Sequence, residues 1–227
     1  MTVIGVPYHL DEYLPGLDLT PEPAELITPE LPVGDIWPRL AVLYQDVARA
    51  VTRAMTLGRA DDGRPVVVAC GDCLTALGTI AGLQATGADP GIVWFDAHGD
   101  VQTPETSSSG YLAGMALRLL TGYRPELIAS RLRLRPVPED RIVPVGELPD
   151  GPLYVHVDLD VVDGAQLPAL RYPTPGGPDA GQVADALSLL LSTGRVAAVS
   201  IACTWFPGRD AARLISPYLE IALAYSA

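Results

Sequence analysis

Residues 91–100 read GIVWFDAHGD, an apolar run that ends directly in Asp96, His98 and Asp100. In extended backbone, residues two apart point to the same side. The three side chains can therefore converge at the carboxyl end of a strand. A second stretch, LYVHVDLDVVD at 153–163, runs from an apolar segment into Asp158 and Asp160 with the same spacing. Neither run alternates apolar with polar residues, as expected of central strands covered on both faces.

Similar β-branched runs occur at 2–7 (TVIGVP), 64–70 (RPVVVAC), 141–145 (RIVPV) and 195–202 (RVAAVSIA). Between them, 37–57, 74–86, 110–121, 179–193 and 209–225 carry apolar residues at three and four spacing. This alternation predicts an α/β fold in which a parallel sheet lies between layers of helices. Prolines cluster at 21–38, 136–152 and 168–178, which are read as connections. The Pro-rich stretch near 21–36 is read as an ordered loop or a plain surface connection.

At 227 residues, 48% hydrophobic and 19% charged, the chain is read as one domain spanning 1–227. No apolar run of about eighteen residues survives its charges, prolines and glycines, so no membrane span is expected. The start, MTVIGVPYHLDEYLPG, lacks the basic and apolar segments of a signal peptide, and a cytoplasmic location is expected. Three cysteines are too few for a disulfide framework. A net charge of −12 argues against nucleic acid and anionic membranes as partners.

Four facing carboxylates would raise one another's pKa and lose their charge unless something compensates them. Two divalent cations carry enough charge to balance them. Oxygen ligands with one or two imidazoles suit Mn²⁺, with Zn²⁺, Fe²⁺ and Co²⁺ as competitors. Paired cations support metal-assisted hydrolysis. A single aspartate after a strand more often caps a helix or turn. Two clusters with the same phase at two strand ends favour the metal reading.

These segments resemble the ureohydrolase superfamily of arginases, agmatinases and formimidoylglutamases. ACGDC at 69–73 resembles the family's GGDH segment, DAHGD at 96–100 matches DAHxD, TPETSSSGYLAGM at 103–115 resembles the following substrate loop, and HVDLDVVD at 156–163 resembles SxDxDxxDP. The resemblance implies an arginase-like three-layer α/β/α sandwich around a mostly parallel sheet. It also implies a binuclear Mn²⁺ site in which Asp96 and Asp158 bridge both ions, Asp100 serves the first, and His98 and Asp160 complete the second. A bridging hydroxide would attack a guanidino or amidino carbon and release urea or a urea-like product, with Asp100 as the catalytic residue that carries the proton. Family members are commonly trimers or hexamers, so a homo-oligomer is possible.

Several positions depart from the pattern. Cys73 stands where the family has a histidine ligand, and is either a softer metal ligand or a small buried residue. Ala113 falls where many arginases place a proton-shuttling histidine. Cys203 occupies the place of a glutamate that meets the guanidinium, so free arginine is a poor first guess. Gln102 and Ser109 align with substrate-binding positions, or else are solvated loop residues. His156 is read as a buried histidine donating to a carbonyl, or as a partner supporting an aspartate ligand. Asp163 is expected to hold the turn after the second cluster, where Gly164 replaces the usual proline. Gly176 and Gly177 are expected to shape a loop near the site, and His9 to be structural or at the pocket rim.

Within the superfamily the motifs lie nearest to the hydroxyurea-forming hydroxyarginine hydrolases. The alternative readings are a peptide arginase acting on arginine-containing peptides, and an arginase-fold binding or scaffold protein without catalysis.

Overall fold

The computed structural model describes residues 2–17, 19, 22–58, 64–144, 146–206 and 211–224. In chain order the strands are β1 (Val3–Val6), β2 (Tyr8–His9), β3 (Glu12–Tyr13), β4 (Glu25–Leu26), β5 (Val66–Cys70), β6 (Gly91–Phe95), β7 (Ile142–Val143), β8 (Leu153–Asp158) and β9 (Val196–Ala202). The α-helices are α1 (Ile36–Gly58), α2 (Thr75–Ala85), α3 (Ala116–Leu120), α4 (Ala129–Leu132), α5 (Ala180–Leu191) and α6 (Ala211–Ala224).

Seven strands form one sheet in the order β4-β1-β5-β9-β8-β6-β7, and every pairing in it is parallel. β2 and β3 form a small antiparallel ribbon apart from it. The central strands are buried on both faces, which is why their sequences are apolar without alternation. One face, carrying Val68, Cys70, Trp94 and Tyr154, packs under α1, α2 and α3. The other, carrying Val67, Val93, Val155 and Ile201, packs under α5 and α6. Helices on both faces of a parallel sheet make the three-layer arrangement expected from the sequence.

α2 is buried along almost its whole length and lies against α1. The close approach depends on two glycines: a Cβ on Gly78 would stand 2.7 Å from the Tyr44 carbonyl oxygen, and one on Gly82 would stand 2.7 Å from that of Ala48. α5 begins with a capping box, in which the Asp179 side chain accepts from the Gln182 N–H and the Gln182 side chain accepts from the Asp179 N–H.

Besides the β2–β3 ribbon, which the sequence reading lacked, three elements differ from it. The stretch 21–36 supplies a short edge strand, β4, paired to β1. Helix 129–132 ends where Arg133 turns left-handed, and its length gives too little periodicity to read. The segment 110–121 is helical only at 116–120, after a 3₁₀ turn at 113–115. Its first half is held instead by the loop after β6: the Gln102 N–H donates to the Gly114 carbonyl (3.0 Å), and the Leu117 N–H donates to the Asp100 carbonyl (3.0 Å). Val145, residues 209–210 and residue 225, which belonged to expected elements, lie outside the described residues, as do Pro21 and Pro207.

Candidate metal centre

Strands β5, β6, β8 and β9 end side by side at the carboxyl edge of the sheet, where open parallel sheets place their ligand crevices. A cleft of about 570 Å³ opens there. Its lining includes Cys73, Asp96, His98, Asp100, Asp158 and Asp160, with Gln102, Ser109, Ala113, Tyr111, Tyr172 and Thr204 on the walls. Among the described residues, no arginine or lysine lines it.

The carboxylates converge through turns rather than through a continued pleat. β6 stops at Phe95, and the Asp96 Oδ1 accepts from the His98 N–H at 2.6 Å. β8 stops at Asp158, whose Oδ1 accepts from the Asp160 N–H at 3.1 Å and starts a 3₁₀ turn. Each of these aspartates therefore caps a turn with one oxygen and leaves the other facing the centre. The Asp96 Oδ2 accepts from the Trp94 indole N–H at 3.1 Å. The Asp158 Oδ2 accepts from the Cys73 thiol at 2.9 Å.

Among the described residues, two groups of side chains have the spacing to hold an ion. In the first, ligand atoms of Cys73, Asp96, His156 and Asp158 all lie within 4.8 Å of one another; the second is Asp96, His98 and Asp160. Asp96 belongs to both groups. The His98 Nδ1 stands 2.9 Å from the Asp160 Oδ2 and 3.4 Å from the Asp96 Oδ1, and its side chain is 58% exposed, so the second group opens to the cleft. Asp158, expected to bridge, appears only in the first.

Asp100 is buried beside the first group, in the left-handed region at φ 46°, and its Oδ2 has no hydrogen-bond partner. Burial, with Asp96 and Asp158 beside it, pushes its carboxyl up to about 9. Burial and Asp96 likewise raise Asp160 to about 6. Burial, then the nearby aspartates, pushes the Cys73 thiol well above its ordinary value, and burial with Asp160 does the same for Asp158. Without a cation this centre holds protons in place of charge. Carboxylates with a thiol and imidazoles, and buried polar atoms left without partners, are a donor set that fits divalent cations.

The other expected site residues fall as follows. Gln102 and Ser109 line the cleft, and the Ser109 hydroxyl accepts from the Tyr111 N–H at 3.2 Å. Asp163 lies away from the cations' groups and holds the turn, accepting from the Ala165 N–H at 3.1 Å and the Gly176 N–H at 3.4 Å. His9 does not line the cleft; it is buried behind the lining residue Tyr111, with its Nε2 2.9 Å from the Tyr111 hydroxyl.

Cys203 requires a correction. It is buried in the core between the sheet and α5–α6, packed with Trp205 and Ile215, and does not line the cleft. β9 ends at Ala202, so the next side chain crosses to the other face, and Thr204 is the one that returns to the cleft.

Sequence reasoning also passed over Tyr111, Tyr172, Trp94 and Asp72. Trp94 carried a usable signal, since it precedes Asp96 by two residues. Asp72 stands inside the quoted GDC segment. It is buried, accepts from the Leu10 N–H at 2.6 Å and the Leu74 N–H at 2.9 Å, and so pins the turn that presents Cys73.

The chain belongs to the arginase family, whose pattern it matches over residues 28–146. It is 30% identical over 173 residues to the N(omega)-hydroxy-L-arginine amidinohydrolase of Streptomyces lavendulae, covering 63% of this chain and 62% of that protein. It is 29% identical over 181 residues to the arginase of Bacillus caldovelox, covering 61% of this chain and 58% of that one. These matches thus span less than two thirds of the relatives' lengths. Native Bacillus caldovelox arginase has the same fold, with a TM-score of 0.76 at 21% identity over 99% of this chain and 97% of that one. The formimidoylglutamase of Bacillus subtilis superposes with a TM-score of 0.64 at 17% identity, over 98% and 85%.

Proposed function

We propose that the protein hydrolyses a C–N bond of a guanidino or amidino compound at a pair of divalent cations, with Mn²⁺ in at least the second position, and releases urea or a urea-like product. The observation that carries this reading is the pair of ligand groups sharing Asp96 at the floor of one cleft. Cations held there would supply Lewis acidity and lower the pKa of water, as metal-assisted hydrolysis requires.

The chain's own residues then have three tasks. Asp96, Asp158, Asp160, His98 and Cys73 fix the cations. Asp100, with Oδ2 unpartnered beside the cleft, takes up a proton and returns it to the leaving nitrogen. Gln102, Ser109 and Thr204 offer polar contacts to the rest of the substrate from the walls.

The test is an assay of Mn²⁺-reconstituted protein over a panel of guanidino compounds, amidines and arginine-containing peptides, reading urea and substituted ureas. Turnover of at least one member is expected. Metal uptake with no turnover of any of them would overturn the hydrolase reading in favour of a binding protein.

A further inference from the structure

His156 sits on β8 one step below Asp158, fully buried on the face that carries the centre. Its ring stacks on that of Trp94, its partner across the strand pair, with centroids 3.8 Å apart and planes at 17°. The stack fixes the plane of the imidazole. The Nδ1 stands 3.2 Å from the Tyr154 hydroxyl. The Nε2 is buried and has no hydrogen-bond partner among the described residues. No carbonyl takes up this nitrogen, which removes the carbonyl-bonded reading of His156. A ring nitrogen of His156 lies within 4.8 Å of ligand atoms of Cys73, Asp96 and Asp158. With Nδ1 occupied, Nε2 is the nitrogen left to face them.

We propose that His156 is a direct ligand through Nε2 at the first metal position, and that Cys73, Asp96, Asp158 and His156 together form a mixed sulfur, nitrogen and oxygen site for a zinc-class ion, Zn²⁺ or Co²⁺, in preference to Mn²⁺. This rests on the metal-centre reading above. Ligand atoms about 2.0–2.3 Å from an ion lie no more than about 4.6 Å apart, so the observed spacing needs only small movements to close on one.

The tautomer also suits the role. The Tyr154 hydroxyl lies near the Ser200 and Thr79 hydroxyls, which are 3.5 Å from each other. It can therefore give its proton to one of them and accept Nδ1–H from the imidazole, leaving a lone pair on Nε2. A ligand histidine oriented by a partner on its other nitrogen is the usual arrangement at metal sites. Thiolate with imidazole selects zinc and cobalt over manganese, for which carboxylate oxygen is the better match.

The imidazole thus enters the first position from β8, whereas the family resemblance places it at residue 73. The two departures compensate: Cys73 replaces a histidine, and His156 stands where the family motif has serine. The centre would then be unlike at its two positions, with the thiolate-containing one buried and the Asp96–His98–Asp160 one open to the cleft.

Ligand identity is measured by zinc-edge X-ray absorption on full-length protein loaded with one equivalent of Zn²⁺, using the His98→Ala variant so that His98 contributes nothing. One sulfur and one imidazole shell are expected in His98→Ala, and loss of the imidazole shell with retention of sulfur in His98→Ala/His156→Gln. Competition should show Zn²⁺ displacing Mn²⁺ from one position of the wild-type protein at least tenfold more readily than from the other. A zinc shell of sulfur and oxygen without imidazole in His98→Ala, a variant that leaves His156 intact, would overturn the assignment while leaving the metal centre standing. Failure of the wild-type protein to bind any divalent ion would overturn both.

Discussion

The Cys73 thiol donates to the Asp158 Oδ2 at 2.9 Å across two neighbouring turns of the sheet edge. Cys73 is buried and Asp158 half-buried, and burial with the neighbouring aspartates pushes both well above their ordinary values, so a cation entering here competes with protons. Uptake at this position is expected to release protons and to tighten as pH rises. Calorimetry in buffers of different ionisation enthalpy reads that release directly. Cys73→Ser should weaken this binding event, whereas Cys73→His should retain it and shift its preference toward Mn²⁺. Unchanged binding constants in both variants would reduce Cys73 to a packing residue.

Asp96 and Asp158 are not equivalent in the structure, although the sequence resemblance implies two bridges. Asp96 belongs to both ligand groups and Asp158 to one. Asp96→Ala is therefore expected to abolish both binding events, and Asp158→Ala only the thiol-containing one. Titration with elemental analysis separates the two outcomes. Loss of both ions in Asp158→Ala would show that the carboxylate swings to bridge once cations are present.

Without cations the fold should lose stability as pH rises from about 6.5 to about 9. Asp100 ionises near its ordinary value in the unfolded chain but only at about 9 in the folded one, so over this range the folded state holds the extra proton. One such proton changes stability by up to about 1.4 kcal/mol per pH unit. His156, lowered to about 3 by burial, acts in the opposite direction and only below about 6.5, where the unfolded chain takes up its proton. Thermal melts of chelator-treated protein at pH 7 and 9 should fall with pH. Added divalent ion should restore stability most at the higher pH, since it binds the folded, deprotonated centre.

The strands and the two aspartate clusters were legible because parallel core strands are apolar throughout, and an acid at the end of one stands out. What the pleat argument missed is that both clusters bend into turns immediately. Asp96 and Asp158 each cap a turn and face the centre at once, so the capping and ligand readings hold together. Cys203 was misplaced by aligning it with a family glutamate; the strand end at 202 was read correctly, but a step of one beyond it sends the side chain to the opposite face, and Thr204 reaches the cleft. Apolar spacing at 110–121 promised a full helix, but hydrogen bonds with Asp100 and Gln102, distant in pattern though near in space, tie it to the loop after β6, and only 116–120 is helical.

Asp72 tests how the centre is carried. Its carboxylate accepts from two backbone N–H groups and lies 3.2 Å from the Tyr44 hydroxyl, all in buried surroundings. Asp72→Ala would leave those donors unpaired, at a cost of about 2–4 kcal/mol for groups that lose a charged acceptor. Urea denaturation should show that loss, and binding at the first position should weaken as the Cys73 turn loosens. A variant as stable as the parent would mean that water replaces the carboxylate.

The last prediction concerns substrate choice and turns on Thr204. With Cys203 facing the opposite core, the cleft wall after β9 is a threonine whose hydroxyl donates to the Gly71 carbonyl at 2.6 Å. The lining acids are Asp96, Asp100, Asp158 and Asp160, and the proposed chemistry commits them to the cations and the proton. A fully charged guanidinium then meets no free carboxylate on the described walls, and forgoes about 1.5–3 kcal/mol of charge-assisted hydrogen bonding. That corresponds to roughly a tenfold to hundredfold loss in kcat/KM. Ala113, also in the lining, supplies no proton shuttle. Free arginine and agmatine should therefore be poor substrates, and a less basic guanidine, an amidine or a peptide-borne arginine better ones. Thr204→Glu should raise kcat/KM for free arginine relative to the others if the missing carboxylate is the cause. Efficient hydrolysis of free arginine by the unaltered protein, above every modified or peptidic substrate tried, would show that another group answers the guanidinium charge.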